Sequence, residues 1–208
     1  GPATAADRQE IETRRRAVAE NYAPGLAALS AANFANRDVL LRDLRSALDT
    51  ANDFRRRADA AIGQGRDQRD AGLRQNFIPT ITASVNASLA VWFPALHAAA
   101  AEDPVLARLA TIKEIGWRMR DIAGSERSII ASAIASGTAL TPEQLAASAA
   151  VRARVDVLWS QLEVLTADPA THPAIRAAMV TARDRYFNGF RTLANQMNQA
   201  GTTYPMNA

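Results

Sequence analysis

Helix-breaking residues are so sparse in this chain that strong helix formers run for about 25 to 35 residues at a time, which restricts the fold to packed helices. Alanine, leucine, arginine, glutamate and glutamine fill the stretches between ten glycines and nine prolines. β-Branched and aromatic residues never alternate over a useful length, so no strand is expected. Periodicity and punctuation predict six helices, over residues 4–29, 37–62, 67–101, 103–136, 141–166 and 173–200. Pro24-Gly25 reads as a kink or early stop in the first, and Pro79 and Pro94 fall inside the third. Gly63-Gln64-Gly65, Gly137 and Gly201 are stops. Asp103-Pro104 reads as an N-cap followed by proline at the first helical position. Thr141-Pro142-Glu143-Gln144 is a capping box, also with proline first. Long helices joined by short turns form antiparallel bundles, so the expected fold is all-α: an elongated antiparallel bundle of about six long helices.

The pattern also repeats. A shift of 137 residues lays Arg15, Val18 and Tyr22 on Arg152, Val155 and Trp159, and a shift of 136 lays Phe54-Arg55 on Phe190-Arg191. The first helix thus answers to the fifth. The chain reads as two tandem four-helix-type modules clipped at both ends: residues 1–102, lacking a first helix, and 103–208, lacking a last one. Gly1-Pro2 has the form of a scar left by tag removal.

Composition narrows the function classes. The charges, 24 cationic against 21 acidic, are well mixed, and Lys113 is the single lysine. A nucleic-acid reader needs a basic stripe with stacking aromatics or a recognised motif, whereas Arg14-Arg15-Arg16 and Arg55-Arg56-Arg57 are short clusters with acidic neighbours, so nucleic acid is not an expected partner. No apolar run approaches the roughly 20 residues that cross a bilayer, and the polypeptide is expected to be soluble. There is no cysteine, and the two histidines, His97 and His172, fall on different helices. Zinc sites, hydrolase triads and di-iron motifs therefore have no material to work with. The turn at Gly63-Gln64-Gly65 is no phosphate-binding loop. The expectation is no enzyme, no metal and no cofactor. His172, just before Pro173, reads as a cap, and His97 as a half-buried residue beside Trp92 and Phe93.

The informative residues are polar groups caught on apolar seams. On the fourth helix Ile112, Met119, Glu126 and Ala133 share one heptad stripe, beside Ile115, Ile122 and Ile129. The fifth carries Leu145, Ser148, Arg152, Val155, Trp159 and Leu162; the sixth, Ile175, Met179, Ala182, Tyr186 and Leu193. Glu126 and Arg152 stand where the pattern asks for apolar side chains, and a buried charge is costly unless paired. Counting from Gly137, Glu126 lies 11 residues before the turn and Arg152 15 after it. That mismatch, about one helical turn, is within an arginine's reach. Two readings follow. Glu126 and Arg152 form an interhelical ion pair, or Glu126, Arg152, Trp159 and Tyr186 line a small polar pocket that binds an amino acid or small carboxylate.

The run Trp117-Arg118-Met119-Arg120-Asp121-Ile122-Ala123-Gly124-Ser125-Glu126-Arg127-Ser128 resembles the periplasmic sensor regions of α-proteobacterial methyl-accepting chemotaxis proteins. So do the turn Gly137-Thr138-Ala139-Leu140-Thr141-Pro142-Glu143, the Arg152–Trp159 helix and the pair Tyr186-Phe187, with Tyr204-Pro205-Met206 like the turn before a last helix. More distantly the chain is similar to nitrate- and nitrite-sensing helical domains, whose first helix has an Arg-Glu-Arg-Gly motif that Ser125-Glu126-Arg127-Ser128 matches only in part. The resemblance implies a periplasmic ligand-sensing domain, a weak homodimer, joined to the membrane only through flanking spans outside this sequence. The sensor of a histidine kinase or cyclase, or a helical adaptor without a small ligand, are the alternatives.

Overall fold

The computed structural model describes residues 3–65 and 68–199, apart from the side chain of Arg74. All regular structure among them is helical. The helices are α1 (Ala5–Ala31), α2 (Arg37–Ala61), α3 (Ala71–Ala100), α4 (Pro104–Ser136) and α5 (Pro142–Thr166), followed by α6 (Pro173–Ala182), a π-helical segment (Arg183–Phe190) and α7 (Arg191–Gln199). The calls at Gly1-Pro2, Asp67, Gly201 and Tyr204-Pro205-Met206 lie outside the described residues.

Caps account for most of the boundaries. Thr4 opens α1 with a full capping box, exchanging hydrogen bonds with Asp7. Asp70 accepts from the Leu73 N–H at 2.9 Å and opens α3, a few residues later than the sequence pattern suggests. At Thr141 the predicted box forms with Gln144. His172 caps α6 through Nδ1, which accepts from the Ala174 N–H. Gly137 ends α4 at φ 63°, a left-handed conformation that a Cβ disfavours. Asn36, at φ 60°, turns the chain from α1 into α2 in the same way.

Two points differ from the sequence pattern. Of the kink or early stop read at Pro24-Gly25, the stop does not occur, and α1 runs through both residues. A proline removes one hydrogen bond and crowds one carbonyl, and the alanine- and leucine-rich sequence beyond it resumes the helix. α3, for its part, is long and apolar enough to cross a membrane by length and composition, although the sequence reading found no such segment.

The chain divides into two compact units, Gly1–Asp103 and Pro104–Ala208. In the first, Phe34, Leu41, Leu44, Val91 and Ala95 form a core at the end near the α1–α2 turn. Leu26 and Leu29 of α1 pack against it, yet α1 has no fully buried residue of its own. At the other end Phe54 meets Phe77 with ring centroids 6.2 Å apart. These pairings make the three helices successively antiparallel.

In the second unit Ala110, Glu126, Ile130 and Ala133 of α4 are buried, and Ser148, Val155, Trp159 and Leu162 of α5. The α5 stripe is the one its seam predicts, except that Leu145 is exposed. On α4 the seam predicts Glu126 and Ala133, but Ala110 and Ile130 are buried off it, and Ile112 and Met119 are only half-buried. The third limb departs from its heptad. Ile175, Met179 and Ala182 are half-buried, but beyond the π segment the fully buried residues are Ala194 and Met197, packed with Ile130, rather than Leu193. The wide turns of a π-helix move every later side chain round the axis, so the inward stripe advances by one residue.

Candidate functional site

Glu126 is fully buried on the inner face of α4. Its Oε1 accepts from Ser148 Oγ at 2.7 Å and from Arg152 Nε, both one α-helix away on α5. The Arg152 side chain is about one-fifth exposed, and its Nη1 donates to Asn195 Oδ1 on α7. One ion pair therefore ties α4, α5 and α7 together.

Arg191, one turn before Asn195, extends the cluster. Its Nη1 pairs with Asp156 Oδ1 at 2.7 Å, and its Nη2 donates to the Arg152 carbonyl at 3.2 Å. The same guanidinium lies over the rings of Phe187 and Tyr186, 4.6 and 5.1 Å from their centroids. Burial pulls against the Arg191 charge, but the Tyr186 hydroxyl and Asp156 carboxylate outweigh it and hold the group more basic than usual. Burial pushes the Tyr186 phenol up; Arg191 and Arg152 offset this in part, and Glu126 adds to it. Trp159 joins through a chain of rings: it is tilted at 51° to Phe187 with centroids 4.9 Å apart, and Phe187 meets Tyr186 edge-on at 5.0 Å.

Four buried polar atoms of this cluster have no hydrogen bond of regular geometry: Glu126 Oε2, Arg152 Nη2, Tyr186 Oη and Arg191 Nε. A buried polar atom left unmatched costs about 1–3 kcal/mol. Here an acceptor on a carboxylate stands beside donors on two guanidinium groups. A ligand bearing both a donor and an anionic acceptor complements that set.

Of the residues expected at a pocket, the structure thus brings Glu126 and Arg152 into direct contact and places Tyr186 within their electrostatic reach. Trp159 is core, connected only through Phe187. Arg191, Asn195 and Asp156 were not expected as members. In the sequence Arg191 stands out only as a repeat match to Arg55, and Asn195 is an exposed residue whose contact with Arg152 no local signal announces.

A second polar knot closes the far end of this unit. Arg108 of α4 donates to the Leu165 carbonyl through Nε and Nη2, to Thr171 Oγ1 at 2.7 Å, and to Asp168. It satisfies the Leu165 carbonyl near the end of α5, as a cation at a helix C-terminus does. Among the described residues no three His, Cys, Asp or Glu side chains converge to hold a metal.

Comparison with protein-family models, characterised proteins and solved structures finds no match. The functional reading therefore rests on the cluster itself.

Proposed function

We propose that the chain is the extracytoplasmic ligand-sensing part of a membrane receptor of the chemotaxis type. Its second unit would bind an amino acid or small carboxylate between α4, α5 and α7. The observation that supports this reading is the set of unmatched atoms at the ion pair, Glu126 Oε2 and Arg152 Nη2, inside a helical unit. An ammonium group satisfies the first and a carboxylate the second, so one zwitterion replaces two unmet hydrogen bonds at once.

The signal follows from the same geometry. Arg152 is the tie between α5 and α7, and a ligand that recruits its guanidinium changes its hold on Asn195. Shifts of about 1–2 Å between packed helices are enough to bias a two-state receptor. The chain carries no chemistry of its own in this reading and works as a weak homodimer.

Calorimetric titration of the wild type and Arg152→Ala against a panel of amino acids and small carboxylates tests it. A ligand should bind the wild type and lose at least tenfold in affinity in the variant, with helicity unchanged by circular dichroism. A ligand whose affinity survives the substitution would make Arg152 a purely structural residue.

A further inference from the structure

The first unit holds a cavity of about 1050 Å³ between α1, α2 and α3, at the top of the range of roughly 300–1000 Å³ usual for small-molecule sites. Its body is apolar, lined by Val18 and Ala19 of α1, Leu48 of α2, and Phe77, Ile81 and Val85 of α3. Ser84 and Ser88 also face it, but their hydroxyls are spent on carbonyls of their own helix, at 2.8 and 2.9 Å. Among the described residues the charged lining gathers toward the end of α2 and the start of α3: Arg14, Arg15, Arg55 and Arg69, with the carboxylate of Asp59. The cavity is thus apolar along its length and cationic at one end.

Three of those cations are engaged elsewhere. Arg15 grips Asp59, Arg14 pairs with Glu10, and Arg69 donates to the turn carbonyls of Gln64 and Ile62. Arg55 is half-buried and has no carboxylate partner among the described residues; its Nη1 reaches only Asn52 Oδ1, at 3.4 Å.

The internal repeat shows what Arg55 lacks. Arg55 corresponds to Arg191 at the shift of 136, and Ala19 to Asp156 at the shift of 137. In the second unit that pair is a 2.7 Å ion pair. In the first unit the position of the carboxylate is a methyl group, and both Ala19 and Arg55 line the cavity. We infer that the first unit binds an anionic amphiphile, a carboxylate on a hydrocarbon body, with its head taking the place that the Asp156 carboxylate fills in the second unit.

The tail lies toward Leu48, seven residues along α2 from Arg55, a span of roughly 10 Å. That length fits a medium-chain carboxylate. This site is separate from the polar cluster of the second unit and stands or falls without it.

The test is calorimetric titration of the full chain with octanoate, 1-octanol and octylamine, on the wild type, Arg55→Ala and Ala19→Asp. Ala19→Asp supplies from α1 the carboxylate that the ligand would bring. Octanoate should bind the wild type with one site per chain, at least tenfold more tightly than octanol or octylamine. Each variant should weaken octanoate at least tenfold, with the circular dichroism spectrum unchanged. Equal binding of octanoate and octanol overturns the assignment, because the cavity is then merely apolar. Wild-type affinity for octanoate in both variants overturns it too, as does absence of binding, whether or not sedimentation finds the cavity closed in a dimer.

Discussion

Arg15 on α1 holds Asp59 on α2 through both terminal guanidinium nitrogens, each 2.8 Å from a carboxylate oxygen. In the second unit Arg152 donates to Asn195, which corresponds to Asp59 at the shift of 136. The same tie between a first and a second helix thus occurs twice, once as an ion pair and once as a hydrogen bond to an amide. Both partners in the first unit are more than a third exposed, so solvent screens the pair. Asp59→Asn should cost no more than about 0.5 kcal/mol in urea unfolding.

The Glu126–Arg152 pair should respond asymmetrically. Removing Arg152 leaves a carboxylate with no exposed surface and only Ser148 to bond it, whereas removing Glu126 leaves an arginine that still reaches solvent and Asn195. Arg152→Leu should cost about 3 kcal/mol. Glu126→Gln should cost clearly less, and the double variant Glu126→Leu/Arg152→Leu should recover much of the loss. Urea unfolding followed by circular dichroism measures all three.

The Arg108 clamp should weaken at acid pH. Arg108→Ala should destabilise the second unit by about 2 kcal/mol, since it strips partners from the Leu165 carbonyl and Thr171. The Asp168 carboxyl is held below its usual range by the Ala170 N–H and then by Arg108. A lowered folded-state pKa means that the unfolded chain binds the proton more readily. The contribution of Asp168 is therefore complete above about pH 4 and lost as pH falls through the folded value. Melting temperature against pH should fall less steeply below pH 4 in Asp168→Asn than in the wild type.

Tyr186 acts at the opposite end of the scale. Its raised pKa means that the unfolded chain loses the phenolic proton first, so stability declines as pH rises above about 10. Tyr186→Phe should remove that part of the alkaline loss. Absorbance titration should show Tyr22, also raised by burial, and Tyr186 ionising above an exposed tyrosine.

Two glycine substitutions should differ in sign. A Cβ at Gly124, on α4, would meet nothing within 4 Å, and Gly124→Ala should stabilise by about 0.5–1 kcal/mol. At Gly189, in the π segment, a Cβ would lie 3.3 Å from the Asp184 carbonyl oxygen. Backbone cannot swing aside as a long side chain does, so Gly189→Ala should fail to gain that increment and lose stability. Thermal melts of the two variants decide the comparison.

Much of this was legible in the residues. The capping boxes announce themselves by side-chain chemistry within three positions, and Glu126 and Arg152 betray their pairing because each interrupts an apolar stripe. What was hidden depends on long-range register. Leu193 fits the heptad counted from Tyr186, and nothing local shows that the helix widens between them. Arg108 looks like any other arginine on a mixed-charge helix until Leu165 and Thr171 are folded beside it. Arg55 is likewise ordinary in sequence, and its want of a carboxylate partner among the described residues is apparent only against the ion pair at Arg191 and Asp156.

The π segment joins two registers along one helical limb. Ile175, Met179 and Ala182 stand 135 residues after Leu40, Leu44 and Ala47, and both sets are at least half-buried on their helices. Phe190, Ala194 and Met197 stand 136 residues after Phe54, Ala58 and Ala61. The count changes by one between Ala182 and Phe190, where the backbone leaves the α-helical spacing. One extra residue in a continuous α-helix turns everything beyond it by about 100°. By taking that residue up in a wider turn, the backbone keeps Ala194 and Met197 buried against Ile130, so the same limb serves two registers without losing its inward face.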